Sequence, residues 1–83
     1  MDYKGKNFCL SGFDSNEEES LKRIIEKMGG VLRSSAVKEL DFLIYHPQFG
    51  IGTKKHEKAK ALKENGRNVQ ILNINEFIKL IEK

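Results

Sequence analysis

The chain has 83 residues, 39% apolar and 33% charged, with 15 basic against 12 acidic side chains, one cysteine and no tryptophan. That length supports one small core and no second domain, burying roughly 60–65% of the unfolded surface. A lone cysteine excludes an internal disulfide, as suits a reducing compartment, and no apolar run approaches the roughly 18 residues that a membrane crossing needs.

The start, MDYKGKNF, lacks the apolar stretch of a secretory leader, so an intracellular, cytoplasmic location is expected, or a nuclear one in a eukaryote. NFCLSG places Phe8 and Leu10 in a first strand that stops at Gly12. Ser15 and Glu18 match a capping box, and Leu21, Ile24, Ile25 and Met28 then form a helical apolar stripe that GG at 29 and 30 closes. Val31 and Leu32 predict a short second strand, and RSSAVKELD a loop with Val37 tucked inward. FLIY, 42–45, is a continuous apolar run of the kind buried in a parallel sheet, ended by Pro47. A second helix is expected from about Thr53, with Ala59 and Leu62 inward and Gly66 as its stop. VQIL, 69–72, is the fourth strand, and Asn73 caps a last helix with Ile74, Phe77, Ile78 and Ile81 on one face. The order β-α-β-β-α-β-α predicts an α/β fold, a small parallel four-stranded sheet of order 2-1-3-4 flanked by three helices.

Charge is uneven along this frame. From Asp14 to Glu26 five acids face Lys22 and Arg23, a net of −3, whereas from Lys54 to Arg67 six bases face Glu57 and Glu64, a net of +4. Such asymmetry presents a basic face to an anion while the other side stays acidic.

Enzyme signatures are missing. Gly50 and Gly52 begin a G-x-G, but Lys55 stands where the third glycine of a dinucleotide motif belongs, and Thr53 precedes the lysines where a Walker loop has them reversed. Cys9, His46 and His56 lie at no zinc spacing, and Cys9 sits inside an apolar strand, where a thiol is a small core residue. No catalytic residue, cofactor or metal is expected. In a sheet of order 2-1-3-4 the crevice beyond the strand ends lies between strands one and three. Ser11 brings a hydroxyl to it, Gly12 an approachable backbone, and the second helix its first amides and the Lys55 ammonium, a set that can hold one phosphate. The same residues also fit a turn, an N-cap and a solvated helix face. Phe13, Phe49, Lys54 and Lys58 are the candidates for flanking contacts.

GKNFCLSGF, KMGG, DFLIYH, GTKKHEKAKAL and NVQILNINEFIKLI, taken in order along nearly the whole chain, resemble the BRCT domain. They are similar in flavour to the single repeats of NAD-dependent DNA ligases and of the replication factor C large subunit. The resemblance implies a non-enzymatic adaptor module of a DNA replication or repair protein, a single domain over 1–83 cut from a larger chain that is itself an enzyme if it is such a ligase. It also implies that Ser11, Gly12 and Lys55, with Thr53 beside them, bind a phosphate, either a DNA 5'-phosphate end or a phosphoprotein. Three features depart from the pattern: Phe77 stands where many members have tryptophan, Glu17, Glu18 and Glu19 occupy a turn where the replication-factor type carries arginine, and only one repeat is present. The alternative is a domain that docks a protein partner or self-associates without phosphate.

Overall fold

A computed structural model describes residues 3–82; Met1, Asp2 and Lys83, inside the expected 1–83 domain, lie outside the described residues. The elements are β1 (Asn7–Ser11), α1 (Ser15–Lys27), β2 (Val31–Arg33), β3 (Phe42–Tyr45), α2 (Lys54–Glu64), β4 (Gln70–Asn73) and α3 (Ile74–Ile81). All strand pairs are parallel, in the order β2-β1-β3-β4. The element order and the sheet agree with the sequence reading.

Strand side chains alternate between the two faces, and each face has its own core. Phe8, Leu10, Phe42 and Ile44 pack with Leu21 and Ile25 of α1 and Phe77 of α3. Cys9 and Leu43 point the other way, onto Ala59 of α2 and onto Ala36 and Leu40 of the β2–β3 connection. So α1 and α3 cover one face, and α2 with that connection covers the other. Phe8 and Phe42 stack with ring centroids 4.6 Å apart, and Phe77 meets Phe8 edge-on at 6.1 Å. Phe77 is fully buried, so phenylalanine serves as the core anchor of the last helix.

Three local expectations shift. The capping box of α1 is Asp14 with Glu17: the Glu17 amide donates to Asp14 Oδ1 at 2.8 Å, and the Asp14 amide donates to Glu17 Oε1 at 3.0 Å. It is not Ser15 with Glu18, because Asp14 is the extended residue (φ −78°, ψ 175°) and Ser15 is already helical. An aspartate accepts at this position as well as serine does, and its use leaves the Ser15 and Glu18 side chains to a neighbouring cavity. On α3 the inward stripe runs through Ile74, Phe77, Leu80 and Ile81, while Ile78 is exposed. Ile24 is likewise exposed on α1, so each helix buries a narrower strip than its apolar content suggested. The Asn73 cap is present as expected, with the Glu76 amide donating to Asn73 Oδ1 at 2.9 Å.

Candidate functional site

β1 and β3 end side by side, with Ser11 opposite Tyr45. Here the chain order reverses, and the β3–α2 connection folds back over the end of β1. The His46 amide donates to the Ser11 carbonyl at 2.9 Å, and the Gly50 amide donates to the His46 carbonyl at 2.8 Å. Gly12 has φ +84°, and a Cβ placed on it would run into the backbone of Gly50 and Phe49. A Cβ on Gly50 would in turn strike the Ser11 carbonyl oxygen and His46. Two loops thus meet backbone to backbone, which only residues without side chains permit.

The hydroxyls at this junction have a fixed direction. Ser11 is buried, and its Oγ lies 3.0 Å from the Gly50 carbonyl oxygen, which can only accept. Ser11 therefore donates to Gly50. Ser11 Oγ also makes a short hydrogen bond with Thr53 Oγ1, and since the serine proton is already committed, threonine is the donor. Thr53 Oγ1 accepts in turn from the His56 amide at 3.1 Å, the N-cap bond of α2. The relay runs from His56 N–H through Thr53 and Ser11 to Gly50, and neither hydroxyl proton points outward.

His56 closes the other side of this turn. Its buried ring accepts at Nδ1 from the Gly52 amide at 3.1 Å and meets Tyr45 edge-on at 5.2 Å. Glu57 Oε2 also comes within 3.6 Å of Nδ1. The two contacts compete, because an Nδ1 that accepts from Gly52 carries no proton to offer a carboxylate. The shorter bond to the amide defines the tautomer, so the carboxylate contact is not an ion pair.

At α2 itself, helix geometry leaves the amides of Lys54 and Lys55 without intrahelical acceptors, and the positive end of the helix dipole adds to them. The Lys55 side chain lines a cavity of about 500 Å³ together with Leu10, Ser15, Glu18, Lys22 and Arg33. Three cations and the carboxylates of Glu18 and Glu19 share that cavity, so an anion entering it meets a mixed but net positive lining. The Lys55 charge also acts on Cys9, whose thiol burial pushes up from its ordinary value against the opposing pull of that charge. Lys54 and Lys58 are exposed on the helix surface. Lys60 pairs with Glu57 at 3.6 Å, a surface contact worth little.

The aromatic candidates form a ladder beside the junction. Phe13 meets His46 edge-on at 5.7 Å, and His46 meets Phe49 at 4.8 Å with a 37° tilt. His46 Nδ1 accepts from the Gln48 and Phe49 amides at 3.0 and 3.3 Å, which fixes the turn that carries Phe49 outward. Phe49 is 68% exposed.

Of the residues singled out in the sequence, Ser11, Gly12 and Thr53 come together at one point, and Lys55 extends into the adjoining cavity. Gly50 and His56 were missed as its builders, as were Lys22 and Arg33 in the cavity wall. The G-x-G spacing hinted at Gly50. His56 had the weaker signal of a polar ring at the third position of a helix. Among the described residues no group of three or more His, Cys, Asp or Glu side chains is placed to hold a metal ion, and no helix is long and apolar enough to cross a membrane.

Comparison with known proteins gives this fold a family. The BRCA1 C Terminus (BRCT) domain matches residues 2–81. The chain is 30% identical over 80 residues to a DNA ligase of Treponema pallidum, covering 96% of this chain and 9% of that protein. A DNA ligase of Fervidobacterium nodosum is 34% identical over 80 residues, with 95% and 11% covered. One from Fusobacterium nucleatum subsp. nucleatum is 37% identical over 82 residues, with 98% and 11% covered. The chain spans about a tenth of the length of these relatives. With the four-stranded parallel sheet, the three helices and a family match over nearly every residue, the chain belongs to the BRCT domain family.

Proposed function

We propose that this BRCT domain is a DNA-contacting accessory module of an intracellular ligase-like protein, and that it holds a DNA phosphate at the start of α2. The observation that carries the reading is the backbone contact of Gly12 with Gly50, which sets the end of β1 against the N-terminus of α2. Lys55 supplies the charge, and the Lys54 and Lys55 amides supply directed donors. The bond-making chemistry of a ligase belongs elsewhere in such a protein, and this domain contributes binding.

Magnitudes decide how Ser11 and Thr53 take part. For Ser11 to bond a phosphate directly it must release Gly50, leaving a buried carbonyl without its donor at a cost of about 1–3 kcal/mol. The charge-assisted bond it gains returns about 1.5–3 kcal/mol. The exchange is close to neutral, so the Ser11–Thr53 pair chiefly shapes the cradle, and Lys55 with the helix amides supplies the affinity. A single phosphate held this way binds at about micromolar to millimolar strength.

The test is an amide NMR titration with a short duplex carrying a 5'-phosphate, alongside its dephosphorylated twin. Phosphate-dependent shifts at Gly12 and at 53–55, lost in Lys55→Gln, are expected. An identical response to both duplexes sinks the reading. A second reading, phosphate-independent protein docking, draws on an apolar groove of about 370 Å³ between α1 and α3, lined by Phe13, Leu21, Pro47, Ile74 and Ile78. Shifts confined to that groove on addition of a protein partner favour it.

A further inference from the structure

Phe49 is the most exposed large apolar side chain among the described residues. The Gln48 and Phe49 amides are tied to His46 Nδ1. The next residue, Gly50, is buried, its amide bonded to the His46 carbonyl and its own carbonyl accepting from Ser11. No side chain fits on Gly50 without collision. These bonds tie the backbone on both sides of Phe49, and its ring stands in solvent. His46 backs that face at 4.8 Å, with Phe13 behind His46. The result is an aromatic ladder with its outermost rung open.

We infer that Phe49 is a stacking platform for an unpaired base at a DNA strand end. This rests on the phosphate reading of α2 and names the form of DNA that the site selects. The charge of the surroundings indicates the occupant: Phe49 lies four residues before Thr53, and α2 then presents Lys54 and Lys58 at its surface. Four residues of chain span at most about 14 Å, so the open ring and the phosphate position fall within a few nucleotides of one strand. An apolar peptide would gain nothing from the lysines, and a bare anion nothing from the ring. A single strand offers both a π-face and a phosphate, the combination that single-strand binding surfaces use. Bases inside a duplex are already stacked, so a frayed end, a nick or an overhang is the ligand that gains.

The chain has no tryptophan, so Phe49→Trp places a unique fluorophore on the platform. Three 5'-phosphorylated probes separate the contributions: a duplex with a short thymine overhang, the same overhang made of abasic sites, and a blunt duplex. Quenching of the introduced indole by the thymine overhang, absent with the abasic one, is expected. Phe49→Ala and Phe49→Leu should each weaken the thymine-overhang complex about tenfold, the second because leucine keeps apolar surface but loses the π-face, and leave the other two probes unchanged. Equal loss on all three probes, no loss on any, or full rescue by leucine overturns the inference. Failure of the phosphate reading shows separately, as Lys55→Gln binding all three probes like the unaltered chain.

Discussion

The backbone of Gly12 rests directly against the backbone of Gly50, and the two positions have different reasons for being glycine. Gly12 needs both its positive φ of +84° and the empty space, whereas Gly50 needs the space alone, and Gly52 has φ +80° with nothing within 4 Å of a Cβ. Alanine at each therefore separates strain from collision. Gly52→Ala should cost about 1–2 kcal/mol, the left-handed penalty. Gly50→Ala should cost about 1–3 kcal/mol or more for overpacking, and Gly12→Ala about the sum, a large share of a stability of about 5–15 kcal/mol. Urea unfolding of the three variants checks the ranking, and Gly52→Ala proving as damaging as Gly12→Ala would remove the loop contact from the account.

The hydroxyl relay predicts coupling between two residues 42 apart in sequence. Ser11→Ala leaves the Gly50 carbonyl without a donor and Thr53 without an acceptor, at about 2–3 kcal/mol. Thr53→Ala loses the cap of α2, about 1 kcal/mol, as well as its bond to Ser11. Because the two share one bond, the double variant should be less damaging than the sum by about 1 kcal/mol. Additive losses would show that the relay is not continuous. The relay also separates the roles in ligand binding: Ser11→Ala should lower stability more than phosphate affinity, and Lys55→Gln the reverse.

Why the fold was legible and the site only partly so follows from the signals each leaves. Phe8 with Leu10, and FLIY at 42–45, announce strands by their burial, and Leu21 with Ile25, or Ile74 with Phe77, announce helices by their period. These are local patterns, and the parallel order follows from the alternation of elements. The meeting of Ser11 with Thr53 could be expected because both lie at strand or helix ends on the same side of the sheet. The direction of the Ser11 proton could not, since it depends on where the Gly50 carbonyl comes to rest. His56 shows the same limit: nothing in KKHEK says that this ring turns inward to accept from Gly52. The Asp14 cap was missed because two acceptable caps stand next to each other, and only the backbone angle chooses between them.

The lysines of α2 should act as distance-dependent charges, not as equivalent ones. If DNA phosphates lie along the helix, neutralising Lys54 or Lys58 should weaken binding to all duplexes alike, and each should lower the slope of log affinity against log salt by about 1. Lys60, engaged with Glu57, should matter less, and its loss should change stability by under about 0.5 kcal/mol. Fluorescence anisotropy at several salt concentrations measures the slopes. Equal slopes in all variants would show that the duplex does not follow α2.

Cys9 offers a check on the core between the sheet and α2. It is fully buried, and burial raises its thiol pKa more than the Lys55 charge lowers it. The native thiol is therefore protonated at neutral pH and should react with alkylating reagents far more slowly than the unfolded chain, whose thiol titrates near about 8.5. The same shift has a sign for stability. A folded value above the unfolded one means that the native state holds the proton more tightly, so this contribution is complete below the unfolded thiol value and is lost as pH rises through the folded one. The stability advantage of the unaltered chain over Cys9→Ala should accordingly shrink in alkaline solution and stay constant from neutral pH downward. Lys55→Gln removes the opposing positive charge and should push the thiol further up, slowing alkylation again in the pH range where the thiol begins to ionise. An unchanged alkylation rate in Lys55→Gln would show that the ammonium does not act on the thiol.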